Sequence, residues 1–229
     1  MKSKKKSEKN EGGTVLSDTQ IKARLNEDLI IHPILNREAQ ITCSKVDLHL
    51  SGIFYEIQRT ICDSYDPLTA AAQQDYRREI VLPLGGYLVL HPGDLILAST
   101  FENVYMPRDL LGILQGRSSL GRLGVIVHAT ASFIDPEFMG TITLELSNLG
   151  HLPVRLYTLA KVASIAFLKI SGEVKRAYRD SIPSPLTPGK AQQVDHYAAP
   201  KSGASKHHED WEYKIIQRVR AKMHDHSAT

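Results

Sequence analysis

Cysteine is almost missing from this chain: Cys43 and Cys62 are the only two in 229 residues. Two cysteines do not make the disulfide framework of a small secreted scaffold. Long apolar runs are missing as well. None approaches the ~20 residues that a membrane span needs. The N-terminal stretch Met1-Lys2-Ser3-Lys4-Lys5-Lys6 has no apolar segment of the kind a secretory signal carries. These absences point to a soluble cytoplasmic protein with no membrane partner. An excess of charge is missing too, although the net charge is +3. Five lysines against Glu8 give the first ten residues +4, which leaves −1 for the rest. The body of the chain is therefore not basic, and no nucleic-acid partner is expected.

What is present is a globular composition, 42% hydrophobic, enough for one good core with tails. Residues 1–13 are lysine-rich and end in two glycines, which predicts a disordered basic tail. Ser17-Asp18-Thr19-Gln20 fits a capping box, and Ile21, Leu25 and Leu29 follow at helical spacing. A short N-terminal helix is expected there. From Ile41 the pattern changes to short runs bounded by turn residues: Val46–Leu50, Phe54–Ile57, Glu79–Leu82, Tyr87–Leu90, Leu95–Ala98, Leu111–Leu114, Val125–Val127, Thr141–Leu146, Val154–Leu156 and Val162–Phe167. Many short strands at this spacing predict a mainly β barrel or sandwich. Asp63–Arg78 reads as a polar loop with a helical turn. Beyond Tyr178, Ile182–Gly189 holds three prolines and reads as a mobile arm over 181–206. Trp211, Ile215, Val219 and Met223 fall four residues apart, which predicts an amphipathic helical extension over 207–229.

Two segments carry the chemistry. The first is Gly116-Arg117-Ser118-Ser119-Leu120-Gly121-Arg122-Leu123-Gly124. Glycine allows close backbone approach, and arginine forks with serine hydroxyls suit phosphate oxygens. Arg117, Ser118 and Ser119 are the phosphate candidates. The second runs from His128 through Ala131-Ser132-Phe133-Ile134-Asp135-Pro136 into the alternating strand Thr141-Ile142-Thr143-Leu144-Glu145-Leu146. A carboxylate in that strand must be paired, exposed or employed.

Together these segments resemble the dCTP deaminase branch of the dUTPase-like superfamily, whose patterns read close to GRSSLxRLG and HxTAxxIDPxxxGxIxLE. The resemblance runs from about Val15 to about Tyr178, so a domain over 14–180 is expected. It implies a dUTPase-like distorted β-barrel of jelly-roll type, with the short N-terminal helix and the C-terminal helical extension attached. It also implies a homotrimer with active sites between subunits, and Mg²⁺ bound through the substrate triphosphate. Zinc is not expected, because the ligand set of a zinc deaminase needs a Pro-Cys-x-x-Cys that this chain lacks. No metal-ligating residue is assigned.

The resemblance further implies roles. Glu145 matches the catalytic glutamate, one carboxylate able to shuttle protons if its pKa lies near the working pH. Arg122 arranges the site around the water, and Ser118 bonds near it. Ala131 is the small residue beside the base. Asp135 contacts the deoxyribose or holds its Asp-Pro turn. Tyr178, Lys190 and Gln192 contact the triphosphate from the closing arm. The early strand, VDLRLG-like in the family, reads here Val46-Asp47-Leu48-His49-Leu50-Ser51-Gly52, and Asp47 is read as architectural. The implied reaction is hydrolytic deamination of dCTP to dUTP and ammonia. A bifunctional enzyme that also hydrolyses dUTP to dUMP and pyrophosphate is the alternative. A nucleotide-binding regulator without turnover is the third reading.

Overall fold

The computed structural model describes residues 15–57, 77–130, 132–176 and 178. The tails over 1–13, 181–206 and 207–229, with the expected C-terminal helix, lie outside the described residues. So do Cys62, most of the 63–78 loop, Ala131, Lys190 and Gln192.

The capping box forms as expected. Ser17 caps helix α1 (Asp18–Arg24), with Gln20 bonding back to the Ser17 amide. The helix is shorter than the apolar spacing implies: Leu25 already caps its C-terminus, and Leu29 is buried from the following loop. Arg24 donates to both Asp28 and Asp109, which holds α1 against the turn at Asp109. The Arg24 guanidinium keeps the Asp109 carboxyl below the usual carboxylate range. A depressed folded pKa contributes stability above the unfolded pKa and loses it as pH falls through the folded value. Asp109 is 45% exposed, so screening keeps the effect small. Asp109→Asn is expected to cost under ~1 kcal/mol at pH 7, with the gap to wild type closing in acid; denaturant melts across pH check this.

The expected mainly β architecture is present. After α1 come β1 (Ile30–His32), α2 (Arg37–Gln40), β2 (Ile41–Thr42), β3 (Lys45–Ile57), β4 (Arg77–Val81), β5 (Tyr87–Leu90), β6 (Leu95–Tyr105) and β7 (Leu110–Gly116). There follow α3 (Ser118–Gly121), β8 (Val125–Ile126), β9 (Phe133–Ile134), β10 (Met139–Asn148), β11 (Val154–Tyr157) and β12 (Lys161–Lys169). The main sheet runs β8-β10-β6-β3-β12-β7-β9, with β1 on β6 and β2 and β4 on β3, while β5 and β11 pair separately. The ladders between these strands are antiparallel, yet no two neighbours along the path from β8 to β9 are consecutive in the chain, so the connections cross over between strands distant in sequence.

Strand β3 curls the sheet. Its first half pairs with β12 and its second half with β4 and β6. The sequence shows two runs, Val46–Leu50 and Phe54–Ile57, but they form one strand whose β6 register shifts between Leu50 and Phe54. Ser51, at that shift, hydrogen-bonds Ser99 across the ladder at 2.7 Å. Phe54, Phe167, Leu48, Leu144, Leu146 and Ile165 are completely buried between the two halves. Two boundaries differ from expectation. Arg77 and Arg78 belong to β4 rather than to the polar loop. Strand β6 continues seven residues past Ala98, through the polar Ser99, Thr100, Glu102 and Asn103. Glu102 is buried because Gln40 and the His49 amide and ring supply its hydrogen bonds.

Candidate active site

Glu145 stands where strand alternation puts it. Leu144 and Leu146 point into the core, and the intervening carboxylate lies on the opposite face, half-buried. Its backbone amide donates to the Val127 carbonyl at 3.0 Å. Its Oε2 accepts from the Ala129 amide at 2.8 Å. One side chain is thus bound to the segment that leads directly into Ala131. Strand β8 ends at Ile126, so His128 sits half-buried in this segment rather than within a strand.

The arginine–serine segment forms the short helix α3 between β7 and β8. Arg117 is its N-cap, but no side chain caps the helix. Ser118 and Ser119 are exposed on the first turn, and Arg122 is exposed at the C-cap. The Arg122 amide donates to the Ser118 carbonyl at 3.0 Å, which keeps these two residues on successive turns. Gly116 and Gly124 in this segment are crowded by the rest of the chain. A Cβ on Gly116 would stand 3.0 Å from Val127, and one on Gly124 would stand 2.4 Å from the Gly150 nitrogen. They admit the chain's own segments rather than a ligand. Through Gly116 and Val127 the end of β7 is packed onto the backbone that binds Glu145.

Arg117 is not a free surface arginine. Its Nη1 donates to Asp47 Oδ2 at 2.7 Å, and its amide reaches the Val162 carbonyl at 3.3 Å. Lys161 donates to the same Asp47 oxygen at 3.1 Å and to the Ala39 carbonyl. Asp47, read as architectural, therefore holds the first phosphate candidate. Lys161 gave no signal in sequence, because nothing local marks a strand-opening lysine as unusual. Asp47 did give one: it stands in the VDLRLG-like segment that the family resemblance marks.

Asp135 and Tyr178 meet at a third place. Asp135 is exposed at the turn after β9, and its carbonyl accepts from the Phe138 amide at 3.1 Å. The Tyr178 amide donates to Pro136, and its ring lies 5.4 Å from Phe138. Burial first and the Asp135 charge second push the Tyr178 hydroxyl above its ordinary range. Side-chain hydrogen bonds among the described residues do not link these three groups directly. The backbone does, through β7, whose end contacts Val127 and whose centre pairs with β9.

The model of the dCTP deaminase-like family matches residues 15–170 of this chain. The chain belongs to the dCTP deaminase-like family. Relatives of this dCTP deaminase-like chain include the dCTP deaminase of Halorubrum lacusprofundi, 44% identical over 165 residues, which cover 72% of this chain and 81% of that protein. The dUMP-forming dCTP deaminase of Halobacterium salinarum is 42% identical over 167 residues, covering 72% of this chain and 86% of that protein. Among solved structures, the 2′-deoxycytidine 5′-triphosphate deaminase of Agrobacterium tumefaciens matches with a TM-score of 0.55 at 22% identity. That match covers 69% of this chain and 48% of the solved chain, and shows a shared fold. The family match ends at residue 170, so Tyr178 and everything after it lie beyond the part that defines membership. No helix among the described residues is long and apolar enough to cross a membrane.

Proposed function

We propose that this chain deaminates dCTP to dUTP and ammonia, with Glu145 as the group that moves the protons. The substrate is the magnesium complex of dCTP, the ion riding on the phosphates. Glu145 removes a proton from a water as its oxygen adds to C4 of cytosine. The same carboxyl protonates N3 and then assists the N4 nitrogen, which leaves as ammonia while C4 becomes a carbonyl. Arg122 and Ser118 position the water. Arg117, Ser118 and Ser119 take the phosphates, Ala131 borders the base, and Asp135 borders the deoxyribose. Tyr178, Lys190 and Gln192 close over the triphosphate. The active unit is a homotrimer with each site shared between neighbouring subunits.

One observation supports this reading above the others: the Glu145 carboxylate is bound by the Ala129 amide. The proposed proton carrier is thereby attached to the segment that ends at the base-bordering Ala131. A carboxylate merely facing solvent has no need of such a bond.

The test is incubation of the purified protein with dCTP and Mg²⁺, with dUTP in parallel, followed by chromatography. Accumulating dUTP supports the deaminase. Formation of dUMP from both substrates supports the bifunctional reading, which the dUMP-forming Halobacterium salinarum relative keeps in view. Binding of dCTP without any product favours a regulator and removes Glu145 from catalysis. A second expectation concerns Arg117. A hydrogen bond between charged groups contributes about 1.5–3 kcal/mol, so Arg117→Ala is expected to weaken triphosphate binding ~10- to 100-fold. Titration calorimetry checks it, and unchanged affinity removes Arg117 from the phosphate site.

A further inference from the structure

Strands β7 and β12 are paired as far as Gly116 and Ala163, and just beyond, the Arg117 amide still reaches the Val162 carbonyl at 3.3 Å. At that point each strand puts a cation on the same carboxylate oxygen. Arg117 comes from the end of β7 and Lys161 from the start of β12. Asp47, beneath them on β3, has a side chain only 5% exposed, whereas Arg117 and Lys161 remain 34% and 31% exposed. The carboxylate is therefore the buried base of the cluster, and the two cations form its outer face.

The charge count decides what this cluster is for. Arg117 and Asp47 alone would make a neutral pair, with the guanidinium's charge largely answered by its partner. Lys161 adds a second cation that Asp47 cannot also neutralise. Among the described residues the cluster is left with one positive charge in excess, immediately beside Ser118 and Ser119. Lys161 keeps a third donor after serving Asp47 and Ala39. Among the described residues Arg117 makes one side-chain bond, which uses one of its five N–H groups. Two donor-rich cations held side by side at the surface suit an oxyanion that spans both.

We propose that Lys161 is a phosphate-binding residue of this site, paired with Arg117 across Asp47 and directed at the triphosphate of the nucleotide. Neither sequence motif contains it. The inference rests on the nucleotide-binding part of the functional reading and deepens it. Asp47 becomes a positioning residue: it keeps two like charges together that would otherwise separate.

The test measures equilibrium binding of α,β-imido-dUTP to the full-length protein. This probe carries a triphosphate and has no amine to lose. Deoxyuridine, which carries no phosphate, is measured in parallel. Lys161→Met removes the charge but keeps the aliphatic stem, and Lys161→Arg keeps the charge. For Lys161→Met the expected result is a ~10-fold weaker affinity for the triphosphate and a change under ~2-fold for deoxyuridine. Lys161→Arg is expected to stay near wild type. The deficit of Lys161→Met should shrink at ~1 M salt, where the Debye length falls to ~3 Å. A merely structural lysine would weaken both ligands alike, independently of salt. That result, or unchanged triphosphate affinity in Lys161→Met, overturns the proposal. A wild-type protein that does not bind the probe overturns it together with the functional reading. A wild-type protein that binds the probe but makes no dUTP from dCTP overturns deamination alone, and the Lys161 comparison still stands.

Discussion

Replacing Glu145 with glutamine is expected to leave a folded protein that binds dCTP and turns it over at least ~10³-fold more slowly. General acid–base catalysis contributes typically ~10²- to 10⁴-fold. Here one carboxyl is assigned both the deprotonation of water and the protonation of N3, so the loss belongs near the upper end of that range. Binding should survive for a structural reason. Glutamine has the same shape as glutamate, and its amide oxygen can still accept the Ala129 amide that now bonds Oε2 at 2.8 Å. The His128–Thr130 segment therefore keeps its support, and affinity for dCTP should change less than ~3-fold, the signature of an interaction made only in the transition state. Glu145→Ala is the instructive contrast. It removes the acceptor as well as the proton carrier and leaves the Ala129 amide without its bond, so both turnover and affinity should fall. The measurement is single-turnover conversion of dCTP together with calorimetric affinity for each variant. A glutamine variant within tenfold of wild-type turnover would sink the assignment of Glu145. Equal affinities in the two variants would sink the role given to its bond with Ala129.

Glu145 also shows what was legible in sequence and why. Its motif and its place in an alternating strand survive as geometry: neighbours inward, carboxylate outward, one bond to the segment before Ala131. Local signals of this kind were readable throughout. The capping box at Ser17 and the strand alternation of β10 depend on residues within a few positions of each other. Features that depend on distant partners were not. The sequence pattern of β6 ends at Ala98 because Ser99, Thr100 and Glu102 look like surface residues, whereas the strand runs on to Tyr105. They are buried because β3, α2 and β10 supply their hydrogen bonds. The fusion of two runs into β3 follows from the pairing of its two halves with different strands. Lys161 was invisible for the same reason: it gains meaning only when residues 47 and 117 are brought beside it.

The glycines of the arginine–serine motif supply the sharpest stability contrast. Gly124 has φ of +87°, in the left-handed region that side chains other than glycine rarely adopt. A Cβ there would lie 2.4 Å from the Gly150 nitrogen and 2.6 Å from its Cα, both backbone atoms with no side-chain freedom to yield. The crossing is mutual, since a Cβ on Gly150 would lie 2.5 Å from the Leu123 carbonyl oxygen. Two turns pass within each other's van der Waals space here, fastened by the Leu149 amide on the Gly124 carbonyl at 2.8 Å, while Asn148 Oδ1 accepts from the Gly150 amide within its own turn. Gly124→Ala must therefore bear the cost of its dihedral and also force the two backbones apart. The expected loss is ~3 kcal/mol or more, large for a single methyl group. Separation would also displace Arg122, two residues upstream, so that the folded remainder should lose turnover. Gly121 is the control within the same motif. It sits in α3 with ordinary helical φ and nothing within 4 Å of an added Cβ. Gly121→Ala should be neutral or stabilising by up to ~1 kcal/mol, because alanine favours a helix over glycine. Urea melts of the two variants check the pair. A Gly124→Ala protein with wild-type stability would mean that the turns at 124 and 150 do not cross as closely as this structure holds them.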